Sequence, residues 1–72
     1  MEQASTLRVT VNGESRELPA GSTVLDLVLA LGCKPQQVAV ERNEQIVRKP
    51  EHATTPVLDG DRFEVVTFFG GG

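Results

Sequence analysis

Apolar and polar residues alternate along LRVTVNGESREL, which predicts two strands of a hairpin. One face of the first strand is apolar and consists of Leu7, Val9 and Val11. Asn12-Gly13 supplies residues that tolerate positive φ in a tight turn. With a two-residue loop, Leu18 returns on the apolar face, but Arg16 lies opposite Val9 on that same face. Either the stem of Arg16 covers the apolar face with its charge in water, or a longer loop shifts the register. The pattern leaves both open.

The segment PAGSTVLDLVLALGC predicts a helix with one core-facing stripe. The stripe has the spacing i, i+3, i+4, i+7 and consists of Val24, Leu27, Val28 and Leu31. Ser22 or Thr23 is placed to cap the helix, and Thr23 with Asp26 has the spacing of a capping box. At the other end, Gly32 is the predicted C-cap and Cys33 its apolar contact.

Two more leucines, Leu25 and Leu29, widen the apolar arc of this helix. We interpret them as core residues, with a docking surface as the alternative. After Pro35, the apolar run VAV at 38–40 predicts a buried strand, and IVR at 46–48 a weaker one. A loop with two prolines and the turn Asp-Gly-Asp then lead to a last strand, RFEVVTFF.

The order of these elements predicts an α+β fold, with a mixed four- to five-stranded sheet and one helix packed on one face. We expect one domain over residues 7–69, preceded by a flexible head at 1–6 and followed by a flexible glycine tail at 70–72. The predicted core consists of Leu7, Val9, Val11, Val24, Leu27, Val28, Leu31, Val40 and Phe63.

Composition narrows the function classes. The net charge of −3 and the absence of Trp and Tyr argue against a nucleic-acid-binding protein. A single cysteine and a single histidine supply neither a disulfide nor a four-ligand metal site. The head lacks the pattern of a signal peptide, and the longest apolar stretch is too short to span a bilayer. We therefore expect a cytoplasmic protein without a membrane partner.

None of the chemically active side chains lies in a recognisable catalytic pattern. His52 is in a polar loop, which predicts a solvated side chain, and Cys33 follows the C-terminus of a helix, where a thiolate is not favoured. Asp59 and Asp61 lack the further ligands of a calcium loop. No glycine-rich phosphate loop occurs. We expect no catalytic residue, no metal and no cofactor bound by this chain.

The remaining candidate is the ending, Gly70-Gly71-Gly72. Such an ending is either slack or a thread without side chains that enters a narrow enzyme channel. Three extended residues reach about 10 Å. The carboxylate of Gly72 would then be the reactive group. A carboxylate is ionised at neutral pH and is a poor electrophile, so it needs activation with ATP at a site on another protein.

The whole pattern resembles a known family. The β-grasp order, the stretch VAVERNEQIV, the turn DGD before the last strand and the ending VVTFFGGG are together similar to the ubiquitin-like sulfur carriers of thiamine biosynthesis, the ThiS family. The resemblance covers Leu7 to Gly72 and implies the ubiquitin-like β-grasp fold. Arg16 and the pair Phe68-Phe69 are less typical of the family.

The resemblance implies a protein co-substrate, not an enzyme. A ubiquitin-activating-like adenylyltransferase would use ATP to adenylate the carboxylate of Gly72, and sulfur from a cysteine desulfurase would convert it to a thiocarboxylate. Thiazole synthase would take the sulfur for the thiamine thiazole. Gly71 matches the family's other terminal glycine, and Gly70 is an extra glycine that some members share. Phe69 is a candidate docking residue at the base of the tail, or else finishes the core.

Two alternatives stay open at this stage. One is the small subunit of molybdopterin synthase, which carries sulfur to a pterin precursor by the same terminal chemistry. The other is a β-grasp interaction module whose glycines have no role. A sulfur carrier requires Gly72 to be the terminal residue, and an interaction module does not.

Overall fold

The computed structural model describes residues 6–68. In chain order, its elements are β1 (Thr6–Val11), β2 (Glu14–Pro19), α1 (Val24–Ala30), β3 (Val38–Arg42), β4 (Gln45–Val47) and β5 (Arg62–Thr67), with short 3₁₀ turns at Pro35–Gln37 and Lys49–Glu51. The five strands form one sheet in the order β2-β1-β5-β3-β4. Strands β1 and β5 are parallel, and the other neighbours are antiparallel. The predicted mixed sheet with one helix is confirmed, and the last strand lies at its centre.

The first hairpin has the two-residue loop. Asn12 and Gly13 have φ values of 52° and 85°, which match the twist of the flanking strands. Leu7 pairs with Leu18 and Val9 with Arg16, and Arg16 is exposed. The amide of Asn12 also links the hairpin to β5, since it donates to the carbonyl of Val65 at 3.1 Å and accepts from its N–H at 2.9 Å.

Both predicted ends of the helix are confirmed. Thr23 Oγ1 accepts from the N–H of Asp26 at 3.2 Å, and the Asp26 carboxylate accepts from the N–H of Thr23 at 2.9 Å, so the capping box is complete. At the C-terminus, Gly32 has a φ of 78°, and its N–H donates to the carbonyl of Leu29. The N–H of Cys33 reaches back to Val28, which completes a Schellman motif.

The core lies between α1 and one face of the sheet. Seven of the nine predicted members are buried: Val9, Val11, Val24, Leu27, Val28, Val40 and Phe63. Leu7 and Leu31 are instead partly buried and pack against the cluster. The core also includes five residues outside the predicted set, namely Leu18, Val38, Val47, Val57 and Val65.

Two predictions of burial are wrong. Leu29 is 55% exposed because it lies beyond the arc of α1 that faces the sheet, whereas Leu25 is half-buried. In β3, Val38 and Val40 are buried but Ala39 is exposed. Successive side chains of a strand point to opposite faces, and α1 covers only one face of the sheet. The run VAV is therefore a one-sided strand.

The prediction that His52 is a solvated loop residue is also wrong. Its side chain is 3% exposed, and Nε2 lies 3.0 Å from the carbonyl oxygen of Val47. A carbonyl oxygen can only accept, so Nε2 carries the proton. The backbone carbonyl of His52 accepts from the N–H of Leu25 at 2.8 Å, and that of Thr55 accepts from Val24 at 2.9 Å. These loop carbonyls pair with N–H groups of the first helical turn, which have no partner inside the helix.

Candidate functional site

The candidate site is at the end of β5, where the C-terminal tail begins. All four predicted site residues, Phe69, Gly70, Gly71 and Gly72, lie outside the described residues. What the structure does describe is the base of the tail. Because β5 is hydrogen-bonded on both sides, to β1 and to β3, the strand that leads to the tail is fixed at the centre of the sheet.

The last described residue, Phe68, lies against two loops. Its N–H donates to the carbonyl of Gln37 at 2.8 Å, which extends the pairing of β5 with β3 by one bond. The ammonium of Lys49 lies 5.9 Å from the centroid of the Phe68 ring, within the range of a cation–π contact. The same ammonium donates to the carbonyl of Val38 at 2.8 Å. The hydrogen bond to Gln37 and the contact with Lys49 hold Phe68 at the exit of the tail, the point at which the chain leaves β5. The Phe68 residue is nevertheless 51% exposed.

Neither Gln37 nor Lys49 was among the sequence candidates. Both lie in short 3₁₀ turns, at Pro35–Gln37 and Lys49–Glu51, which the sequence shows only as proline-containing loops. The proline at the first or second position of each turn is a signal for the turn itself. It does not indicate that the two turns meet at the end of β5.

The start of β5 is held by a buried carboxylate. Asp61 accepts from Arg42 Nε at 2.7 Å, from the N–H of Leu58 at 2.8 Å and from Asn43 Nδ2 at 3.1 Å. Burial by itself would raise the pKa of Asp61. The hydrogen bonds from these three donors and the charge of Arg42 outweigh burial and lower the pKa below its ordinary value of 3.8. The carboxylate therefore stabilises the fold in its ionised form.

Asp59, the other acid of this turn, is exposed and also has a structural partner. Its Oδ1 accepts from the N–H of Arg8 at 2.7 Å, and the N–H of Gly60 donates to the Arg8 carbonyl at 2.8 Å. The predicted turn is thus confirmed, and it docks β5 beside β1. Between residues 6 and 68, no cluster of three potential metal ligands occurs.

Two other chemically active side chains, Cys33 and His52, are part of the local structure. Cys33 is a free, half-buried thiol at the end of the Schellman motif, and His52 is used to hold the loop to β4. Within the described part of the chain, no helix is long and apolar enough to cross a membrane. The contacts that the structure shows at the base of the tail are those of Phe68 with Gln37 and Lys49.

The comparisons with known proteins identify the family. The model of the ThiS family matches residues 9–72, which is nearly the whole domain together with the terminal glycines. The chain belongs to the ThiS family. The resemblance seen in the sequence is thereby confirmed, and the match extends over the tail residues that the structure does not describe.

Two curated relatives are named thiazole synthase. The chain is 46% identical over 66 residues to the protein of Paramagnetospirillum magneticum and 38% identical over 66 residues to that of Magnetococcus marinus. Each match covers 92% of this chain but only 20% of the relative. The chain therefore spans about one fifth of the length of these curated relatives.

Solved structures confirm the fold. The crystal structure of the thiamine biosynthesis protein ThiS from Geobacter metallireducens has a TM-score of 0.71 and 33% identity, and the match covers 92% of this chain and 100% of that one. A solution structure of a thiamine biosynthesis protein from the same organism also has a TM-score of 0.71, with 32% identity. A ubiquitin-like domain at 15% identity has a TM-score of 0.57, which supports the ubiquitin-like β-grasp architecture alone.

Proposed function

We propose that this chain is a sulfur carrier whose terminal glycine carries a thiocarboxylate for the assembly of the thiamine thiazole. The observation that carries this proposal is the family match over residues 9–72, which includes the three glycines. The relatives named thiazole synthase favour the thiazole as the destination of the sulfur over a pterin precursor. The carrier would be a co-substrate of other enzymes and not a catalyst.

The chemistry would begin at the carboxylate of Gly72. An adenylating enzyme of the ubiquitin-activating class would bind ATP, and a carboxylate oxygen would attack the α-phosphorus and release pyrophosphate. Sulfur from cysteine would arrive as the persulfide of a desulfurase, and its outer sulfur would attack the acyl carbon and displace AMP to give an acyl disulfide. A thiol would then attack the other sulfur of this disulfide, form a new disulfide with it and release the thiocarboxylate. Thiazole synthase would accept the sulfur and return the carboxylate.

The described fold supports a protein that supplies the tail while other enzymes carry out the chemistry. The domain presents a tail from the central strand of its sheet, with the Phe68 backbone bonded to Gln37 and its ring beside Lys49. A rigid base reduces the conformational freedom that is lost when an enzyme captures the tail. Glycines without Cβ atoms would allow the thread to enter a channel that rejects larger residues.

The proposal is tested by intact-mass measurement with a variant of the tail. The chain is incubated with the adenylating enzyme of its own organism, ATP and a reduced sulfur source. We expect the wild-type mass to rise by the exchange of one oxygen for one sulfur at the C-terminus. Gly71→Val should abolish the shift because a branched Cβ would not fit a channel shaped around bare backbone.

A matched control introduces the same side chain elsewhere. Ala30→Val places a valine at the exposed end of α1, and this variant should gain the sulfur as the wild type does. Circular dichroism checks that both variants are folded. If Gly71→Val and the wild type gained sulfur equally, the proposed channel that admits only glycine would be contradicted. If the wild type gained no sulfur, the carrier function itself would be contradicted.

A further inference from the structure

The core between α1 and the sheet is open to solvent at one end. A hollow of about 340 Å³ lies there, between the C-terminus of α1 and the first hairpin, and we call it the end hollow. Its apolar lining consists of Val11, Leu31, Cys33 and Val65. Val11 and Val65 are buried, whereas Leu31 and Cys33 pack against the core but are only partly buried. The core is therefore incompletely covered at this end.

The side of β5 that faces α1 leads into the end hollow. Successive side chains of a strand point to opposite faces, so Val65 and Thr67 share the side that faces α1, and both line the hollow. The N–H of Phe68 donates to the carbonyl of Gln37 at 2.8 Å, which continues the pairing with β3 up to the last described residue. The same alternation assigns the next position on the side of α1 to Phe69.

We infer that the end hollow receives the side chain of Phe69, so that the tail of this chain completes the core of its own domain. The distance along the strand from Thr67 to Phe69 is about 7 Å. An aromatic side chain reaches across a separation of this size. The occupant thus enters the hollow directly from the end of the described chain, without a loop in between.

The chemistry of the hollow suits an aromatic ring. A ring placed there removes apolar surface of Leu31 and Cys33 from water, and a sulfur atom at a ring edge is a favourable neighbour. Arg16 also lines the hollow, because it pairs with Val9 in the hairpin register and thus lies on the side that faces α1. Its exposed guanidinium can cover the outer surface of the ring of Phe69.

The size of the hollow favours a single side chain. Sites for small molecules usually have volumes of about 300–1,000 Å³, and the end hollow is near the lower end of that range. One consequence rests on the proposed function. With Phe69 held by the domain, only three glycines extend freely, with a reach of about 10 Å. The active site of the adenylating enzyme then has to come within that distance of the domain.

The test uses the single cysteine of the chain, since every reaction with a thiol reagent belongs to Cys33. The rate of reaction is measured for the isolated protein at one pH and without denaturant. Phe69→Ala removes the proposed cover, and Phe69→Leu replaces it with another large apolar side chain. Phe68→Ala is the matched control, because the ring of Phe68 lies beside Lys49 instead.

We expect Phe69→Ala to accelerate the reaction of Cys33 about fivefold, because the thiol loses its cover. Phe69→Leu should stay within about twofold of the wild type, since an apolar side chain still fills the hollow. Phe68→Ala should react at the rate of the wild type.

A second measurement does not depend on the thiol. The chain contains no Trp and no Tyr, so Phe69→Trp and Phe68→Trp each introduce a single fluorophore. The indole at position 69 should emit at a shorter wavelength and be quenched less by acrylamide than the indole at position 68, where the native side chain is half-exposed.

The inference is overturned if Phe69→Ala leaves the rate of Cys33 unchanged, or if Phe68→Ala accelerates it equally. It is also overturned if the indole at position 69 is quenched as strongly as that at position 68. All these measurements use the chain alone. Failure of the proposed function is a different observation, namely a wild type that gains no sulfur with the adenylating enzyme, ATP and a sulfur source.

Discussion

Replacing Asp61 with asparagine removes one buried charge at the start of the central strand. Asn has nearly the same shape as Asp, but its side-chain amide has one acceptor and one donor group. The Asp61 carboxylate accepts from three donors, namely Arg42 Nε, Asn43 Nδ2 and the N–H of Leu58. In Asp61→Asn, at least one of these donors therefore faces an amide NH₂ group and loses its acceptor.

The magnitude follows from the type of bond that is lost. A hydrogen bond to a charged group contributes about 1.5–3 kcal/mol to stability, more than a neutral one. The side chain of Asp61 is only 7% exposed and that of Arg42 is 26% exposed. Water can therefore replace the hydrogen bond that the Arg42 guanidinium loses only in part. We expect Asp61→Asn to lower the free energy of unfolding by about 1.5–3 kcal/mol at neutral pH.

The pKa of Asp61 determines how the stability difference between the wild type and Asp61→Asn changes with pH. The pKa of Asp61 is lowered below 3.8, so the ionised carboxylate stabilises the folded state more than the unfolded one. Its contribution is complete above 3.8 and is lost as the pH falls through the lowered pKa. The difference in stability between the wild type and Asp61→Asn should therefore shrink when the pH falls from 7 to about 3.

The assay is urea denaturation of both proteins at these two pH values. Asp59→Asn is the matched control, because it removes the same charge two residues away at an exposed position, where the amide oxygen can still accept from the N–H of Arg8. It should cost well under about 1 kcal/mol. The reasoning is refuted if the two variants lose equal stability at neutral pH, or if the loss in Asp61→Asn is the same in acid.

Two further predictions concern the core and the exit of the tail. Leu27 is fully buried, so Leu27→Ala should lower the free energy of unfolding by about 2–5 kcal/mol in the same urea assay. The control, Leu29→Ala, changes an exposed position of the same helix and should cost less than about 1 kcal/mol. Equal losses would mean that α1 packs through a different face. Lys49→Met keeps the aliphatic stem but removes the ammonium that contacts the Val38 carbonyl and the Phe68 ring. The backbone amide of Phe68 should then exchange its hydrogen faster, whereas Lys49→Arg should retain most of the protection from hydrogen exchange. Unchanged exchange in Lys49→Met would show that this lysine does not hold the exit.

The sequence was sufficient for those features that local chemistry decides. The hairpin follows from the alternation at Leu7 to Val11 and from Asn12-Gly13, and the helix follows from its stripe, its capping box and Gly32. Each of these signals acts within a few residues. The family resemblance rests on the same local features taken in order, and it too is confirmed.

The features that the sequence did not predict depend on contacts between distant segments. His52 lies in a polar stretch, yet it is buried because its imidazole bonds to Val47 and its carbonyl caps α1. Ala39 lies in an apolar run, yet it is exposed because a single helix covers only one face of the sheet. The contact between Lys49 and Phe68 joins two loops whose proximity is set by the sheet order.

The most direct measurement of the central claim is the intact mass of the chain that ends at Gly72, beside that of a version with one alanine added after Gly72. Both are incubated with the adenylating enzyme, ATP and a reduced sulfur source. The account predicts that only the chain ending at Gly72 exchanges one oxygen for sulfur, because the reactive group is the glycine carboxylate itself. If the extended chain were thiocarboxylated as readily as the chain ending at Gly72, the carrier function proposed for these glycines would be contradicted.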